Sequence, residues 1–347
     1  MTDDWLRDAL DDAVSDVEPR EALDSIRNRT KVTPMSSKRP WIYGVGGAVL
    51  ATAATITAFA VVNSGGATNA GKDDPGFANP PSSSATDSPT TTTPGVGTQS
   101  APVYYLGEVT FHQGEGGDMQ TAFRLFREWH DVQVTPGATA LAKGALQAMF
   151  DAPADADYST AWKGEVLGVT HEDGVINVDL SGISAMSVGS ETAELSVQQL
   201  VYTVQAALSV ADDDAATDPV QILVDGEPAG DLWGSVDASQ PIARADATGV
   251  QAPVWITEPA EGASVAGPVT VQGVAQVFEG NVNWRLLKDG TEVDNGFATA
   301  SEGAPAFGEY EFELENVAPG SYTLQVFEAS ALDGSDTFMD TKTFTVE

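Results

Sequence analysis

The pattern of apolar and polar positions changes character along the chain, and each change predicts a different kind of element. Trp5, Leu6, Ala9, Leu10, Ala13, Val14 and Val17 recur at helical spacing. Thr2 suits the N-cap of that helix, and Asp3 and Asp4 suit its first turn. Pro19 then opens a second short helix carrying Ala22, Leu23 and Ile26. Two such helices cannot bury a core alone, so residues 1–40 read as a short helical segment. From Trp41 to Val62 the periodicity disappears into 22 uncharged, mainly apolar residues. At about 1.5 Å per residue they span about 33 Å, enough for the ~30 Å hydrocarbon layer of a bilayer. Residues 63–101 follow with Gly, Ser, Thr, Pro and Asn and almost nothing to bury. They read as an unfolded spacer of roughly 35 Å.

Regular patterns return at residue 102. "VYYL" and "FRLFREWHDVQV" read as strands, and Leu141, Ala142, Ala145, Leu146, Met149 and Phe150 mark one helical face ending before Pro153. "GEVLGVTHEDGVINVDLS" reads as a hairpin turning at Asp173-Gly174. A helix from Glu194 to Leu208 is predicted to begin with a capping box of Ser196 and Gln199, with Leu195 and Leu200 as its hydrophobic staple. "VQILVDG" adds a further strand. Strands and helices mixed in this way predict an α+β domain over residues 102–248, helices layered on a sheet.

Residues 253–347 show no helical period. "VWIT", "VTVQGVAQV", "VNWRLL", "EYEFELENV", "YTLQVFEAS" and "KTFTV" alternate between Gly, Pro and Asp turns. About seven strands in this length predict an all-β immunoglobulin-like sandwich.

The flanks decide how the apolar run is read. Arg27, Arg29, Lys31, Lys38 and Arg39 precede it, and the next basic residue is Lys72. This bias places the N-terminus in the cytoplasm, with Lys38, Arg39, Trp41 and Tyr43 as the flank of the anchor. Forty residues precede the run, and the first twenty-five form a net acidic stretch, unlike the short basic start of a cleaved signal. The expectation is a permanent single-pass transmembrane helix, with the bulk of the chain outside the cell membrane.

Charge narrows the partners. Of 51 acidic residues 42 lie beyond Val62, against 9 of 16 basic ones, so that part carries −33. Such a field disfavours nucleic acid and anionic lipid headgroups. The chain has no Cys, which removes disulfides, zinc thiolates and cysteine nucleophiles.

The remaining chemistry is sparse. His171 is expected on the surface beside a turn, His130 on a strand between Trp129 and Asp131, and His112 in a Gly-rich loop. No two of them have the spacing of a helical zinc site, and neither a G-x-S-x-G elbow nor a Walker loop occurs. The acidic stretches Ala211–Asp218 and Leu332–Asp336 lack the ligand spacing of a known Ca²⁺ loop and read as solvated. No catalytic residue, metal site or cofactor is expected. Trp255 and Trp284 fall inside strand runs and are expected in the core. Trp233, in "GDLWGSV", follows a turn and is the one weak candidate for a binding surface.

"VYYLGE", "VINVDLSG", "ELSVQQLVYTVQAAL", "VQILVDGEPAG" and "PIAR" together resemble the GerMN domain of sporulation and germination proteins. "ITEPAEGASVAGPVTVQGVAQVFEGNVNWRLLKDG", "GEYEFELE" and "EASALDGS" resemble the immunoglobulin-like domain that accompanies GerMN in exported bacterial proteins. The resemblance implies a cell-envelope protein of a Gram-positive bacterium, of actinobacterial type from its composition. It implies a non-enzymatic module that binds envelope proteins or cell-wall polymer, and it does not by itself imply spore formation. Two alternatives stand beside it. One is a transmembrane signalling accessory with a cytoplasmic protein partner at residues 1–30, in which Gly44, Gly47, Ala48 and Ala51 pack a partner helix. The other, more remote, is a wall hydrolase using a carboxylate pair.

Overall fold

The computed structural model describes residues 96–113, 117–183, 189–211 and 213–347. The predicted N-terminal helices, the anchor over 41–62 with its flank Lys38, Arg39, Trp41 and Tyr43, and the spacer up to residue 95 lie outside the described residues. Among the described residues no helix is long and apolar enough to cross a membrane. These residues belong to one compact unit, mostly β with few helices.

The first region opens with two long strands, β1 (Gly97–His112) and β2 (Met119–Val134), paired antiparallel along their whole length. Residues 97–101 thus belong to a strand rather than to the predicted spacer. Their composition is linker-like, but Gly97 to Ala101 pair with Val134 back to His130, and that ladder fixes them. Helix α1 (Ala138–Phe150) buries the six residues expected of it. The short β3 (Tyr158–Ser159) pairs with Leu106 and Gly107 on the free side of β1.

Strands β4 (Glu165–Glu172) and β5 (Val175–Ser181) form the predicted hairpin. Asp173 (φ 52°) and Gly174 (φ 74°) both sit in the left-handed region that a tight hairpin turn requires. Helix α2 (Ser190–Val210) connects β5 to the parallel strand β6 (Val220–Val224), and β7 (Glu227–Pro228) finishes that sheet. A ribbon of β8 (Asp231–Leu232) and β9 (Val236–Asp237) and a helical turn α3 (Ala247–Val250) complete the region.

The predicted capping box is not at a helix start. Helix α2 begins at Ser190 after Gly189, which places Ser196 and Gln199 inside it and fully buried. Ser196 Oγ donates back to Thr192 O at 2.7 Å. Gln199 Nε2 donates to Tyr104 O at 2.8 Å, and Thr203 Oγ1 accepts from Tyr104 N at 3.1 Å. Gln199 and Thr203 thus satisfy the Tyr104 backbone groups of β1 that face away from β2, as a neighbouring strand otherwise would. Leu195 and Leu200 pack into different clusters, so they form no staple.

The second region is a sandwich of two sheets around a common apolar core. One contains β10 (Val254–Glu258), β12 (Val269–Ala275) and β15 (Gly308–Leu314), in that order. The other runs β11 (Ala263–Val265), β17 (Asp336–Val346), β16 (Gly320–Ala329), β13 (Asn281–Lys288), β14 (Thr291–Thr299). The quoted alternating runs account for six of these strands. The three-residue β11 and the largely exposed β14 lack an alternating apolar pattern.

Candidate functional site at the seam between the two regions

The apolar core of the first region does not stop at its boundary. Trp255 and Val274 of the sandwich, with Phe307, belong to the same buried cluster as Phe126, Tyr158 and Trp162. Trp255 is fully buried, as its strand pattern predicted, but it packs at the seam. The Arg127 guanidinium lies 5.8 Å from its ring and 5.5 Å from that of Trp129. Phe307 packs against the Trp255 ring as well, 5.7 Å between ring centres.

A buried ionic cluster lies beside this aromatic contact. Asp155 precedes β3, Tyr158 opens it, and Asp340 and Lys342 sit on β17. Lys342 is 3% exposed and forms an ion pair with Asp155. Its Nζ also donates to the Tyr158 hydroxyl at 2.8 Å, and that hydroxyl donates to Asp340 Oδ1 at 2.7 Å. Asp340 Oδ2 accepts from the Ile256 N–H at 2.7 Å, and Oδ1 from the Thr341 N–H at 3.0 Å. Nearby, Thr341 Oγ1 donates to Asp157 Oδ2 at 2.7 Å. Glu128 closes the side of β2: its oxygens accept from Asp155 N at 3.0 Å, Ala154 N at 3.1 Å and His130 Nε2 at 2.8 Å.

Gly107 is what permits Tyr158 to reach the seam. A Cβ there would lie 2.7 Å from the Phe126 ring and 3.0 Å from the Tyr158 ring. Without it the two rings stack at 4.7 Å and direct the Tyr158 hydroxyl at β17.

The electrostatics follow from burial and pairing. Burial pushes the Asp340 and Asp155 carboxyls up, more than Lys342 and their hydrogen-bond donors pull them down. Burial works against the Lys342 ammonium, yet Asp340 and Asp155 outweigh it and hold its pKa above the ordinary value. Burial, reinforced by Asp340 and Asp155, keeps the Tyr158 hydroxyl protonated far into alkali. Burial would raise Glu128 as well, but His130 and the two backbone N–H groups hold it below its ordinary value. Removing two carboxylates and an ammonium from water costs several kcal/mol per ion, which only a saturated hydrogen-bond set offsets. Such a set locks geometry, and here it locks one region to the other.

Above the cluster the seam opens into a cleft of about 420 Å³, lined by Trp129, His130, Glu128, Glu258, Glu261 and Lys342 among others. Burial pushes the Glu258 carboxyl up. Glu261 is turned toward Thr343, accepting its N–H at 2.7 Å and its hydroxyl.

The other residues singled out in the sequence fall elsewhere. His112 ends β1 and crosses between the regions, with Nε2 2.9 Å from Ser335 Oγ and 3.3 Å from Asp333 Oδ1. His171 pairs with Asp218 at 2.7 Å on the far hairpin. Trp233 does not stand out from the surface. It is half-buried with its ring edge-on to Trp162 at 4.8 Å, and its indole nitrogen is enclosed. Trp284 stacks on Phe312 at 5.0 Å. Asp213 caps the turn Asp214–Thr217, and the Asp333 carboxylate accepts from Ser335. Among the described residues, no three or more His, Asp or Glu side chains converge as a metal site.

Sequence reasoning missed the cluster because Tyr158 lies 182 residues from Asp340 and Asp155 lies 187 from Lys342. One signal was present. In "DTKTFTV", Asp340 and Lys342 alternate in phase with the core residues Phe344 and Val346. Charges on the buried phase of a strand require buried partners.

Two family models match the chain, one in each region. Residues 102–230 match the family model described as sporulation and spore germination. Residues 253–335 match the immunoglobulin-like domain of bacterial spore germination, in that order along the chain. No curated protein matches the chain. Among solved structures, an engineered protein aligns at 16% identity over 50% of this chain and 49% of its own, TM-score 0.26. This chain therefore spans about half the length of that protein. A candidate lipoprotein of Clostridium perfringens aligns at 16% identity, over 45% of this chain and 93% of its own, TM-score 0.27. CopC from Methylosinus trichosporium OB3b aligns at 21% identity, over 27% and 93%, TM-score 0.20.

Proposed function

We propose that the sporulation-type domain and the immunoglobulin-like domain act together as one non-catalytic binding scaffold of the bacterial cell envelope. In this reading the scaffold is tethered to the membrane through residues 41–62 and presented outside by the spacer. Its partners are envelope proteins or cell-wall polymer. The observation that carries the reading is the cluster around Lys342. The buried ionic groups at the seam are consumed in joining two domains, which gives a composite surface of fixed geometry. Neither family description names a reaction. Rigid presentation of two surfaces lowers the ordering cost of binding a partner that touches both.

The test incubates the purified full chain with isolated cell wall and with solubilised envelope proteins from pH 4 to 8. Bound protein and released soluble wall fragments are both measured. Retention by wall or by a specific envelope protein, without fragments, is the expected outcome. Release of fragments contradicts the reading in favour of a hydrolase, and absence of retention by either material contradicts it outright.

A further inference from the structure

At the opposite side of the sandwich, strand β14 pairs only with β13 among the described residues, so its outer edge presents backbone groups outside the sheet ladder. Phe297 on this strand is 71% exposed and Val293 53%. Phe297 pairs in register with Asn283, on the sheet face opposite to the buried Ala298. Phe278, 67% exposed, belongs to the turn just before β13. That turn is held next to the end of β14 by the Ala300 N–H on Gly280 O at 2.8 Å. Phe297 thus stands exposed on the open edge strand, and the turn that carries Phe278 is bonded to the residue that follows that strand.

Exposed carboxylates lie along the same segments: Glu279 follows Phe278, Glu302 lies just past β14, and Glu292 and Asp294 lie nearer its start, Asp294 across from the buried Leu286. The two cations of β13 are engaged elsewhere. Arg285 is paired with Asp336 and lies over the Phe327 ring, and Lys288 donates to the Tyr322 hydroxyl at 3.2 Å. The rim is thus negative, around an apolar centre.

We infer that β14 is a docking edge for an extended segment of a partner protein that carries an apolar residue flanked by Lys or Arg. Such a segment adds as a further strand, its backbone pairing with the open edge of β14. A residue directly across from Phe297 then lies about 4.5–5.5 Å away on the same face and covers the ring, while its neighbours two positions along carry the cations. A second copy of this chain does not fit, because it brings the same carboxylates and the same excess of negative charge. The edge lies on the sandwich and involves none of the seam residues, so it stands or falls apart from the scaffold reading.

The test pans a random nonapeptide library against the full chain, then measures the affinity of the enriched peptides. Hydrogen exchange over residues 291–299 is followed with and without them. The inference expects peptides alternating apolar residues with Lys or Arg, slowed exchange in β14, and at least about tenfold weaker binding to Phe297→Ser and to Glu292→Lys. Because both positions are exposed, each variant is first shown to melt like the parent chain. Three outcomes overturn it: no enrichment, enrichment without Lys or Arg or indifferent to Phe297, and a concentration-dependent dimer of the chain that itself protects β14.

Discussion

The seam and the β14 edge use the same kinds of residue in opposite ways. At the seam Asp155 and Asp340 are buried with Lys342 and Tyr158 beside the half-buried Glu128, and their oxygens are filled by specific donors. At the edge Glu292 and Asp294 stand in solvent on the strand that carries the uncovered Phe297, each accepting a bond from the neighbouring Asn295, at 2.7 Å and 2.9 Å. Burial makes the first group costly unless every partner is present, so geometry is fixed there. Exposure makes the second group cheap, so geometry there is left for something else to complete. In a chain this acidic, a carboxylate alone says little. What distinguishes structure from recognition is whether burial obliges the fold to supply every partner or exposure leaves lone pairs open to a newcomer.

The largest expected effect comes from breaking the seam. Lys342→Met leaves Asp155 and Asp340 buried without their cation and is expected to cost about 3–5 kcal/mol. The loss should shrink as the pH falls, because both carboxyls are already pushed up by burial and protonate in the folded state. Thermal melts at pH 8 and pH 4 check this, with the larger shift in Tm expected at pH 8.

Gly107→Ala sharpens the comparison without removing a charge. Its new methyl group meets the Phe126 and Tyr158 rings, and overpacking of this kind costs about 1–3 kcal/mol. Because the Tyr158 ring must move, the variant should also speed hydrogen exchange at the Ile256 amide, which donates to Asp340.

Glu128→Gln acts more gently and through pH. Glu128 is held below its ordinary value of 4.5, so in the folded chain it contributes stability above that pH that is lost as the pH falls through its folded value. The buried Asp155 and Asp340 act in the opposite sense: their contribution is present below 3.8 and is lost as pH rises through their raised values. The variant should therefore be slightly less stable at neutral pH but lose less on acidification to pH 3. The expected result is two Tm-against-pH curves that converge in acid. Phe297→Ser, at the exposed edge, should change stability by no more than about 0.5 kcal/mol. A larger loss would mean that Phe297 supports the fold rather than facing a partner.

Much of this architecture is legible in the sequence, and what escapes has physical causes. Helix α1 and the Asp173-Gly174 hairpin are read correctly because apolar period and turn chemistry are local signals. The start of α2 is misplaced because Ser196 and Gln199 look like a cap, yet Ser196 bonds back to Thr192 within the helix and Gln199 bonds to a backbone carbonyl of β1 almost a hundred residues away. Strand β14 goes unread because an edge strand with one exposed face and a shift in register carries little hydrophobic alternation. The seam is written only as two charges in phase with a buried strand face. That pattern shows that partners are needed but not where they lie.

The central claim is that the buried Lys342 cluster makes two domains into one body, and calorimetry of the full chain tests it most directly. The account predicts one cooperative transition for the folded regions of the parent chain and two separated transitions for Lys342→Met. Two independent transitions in the parent, or a variant that melts exactly as the parent does, would contradict it.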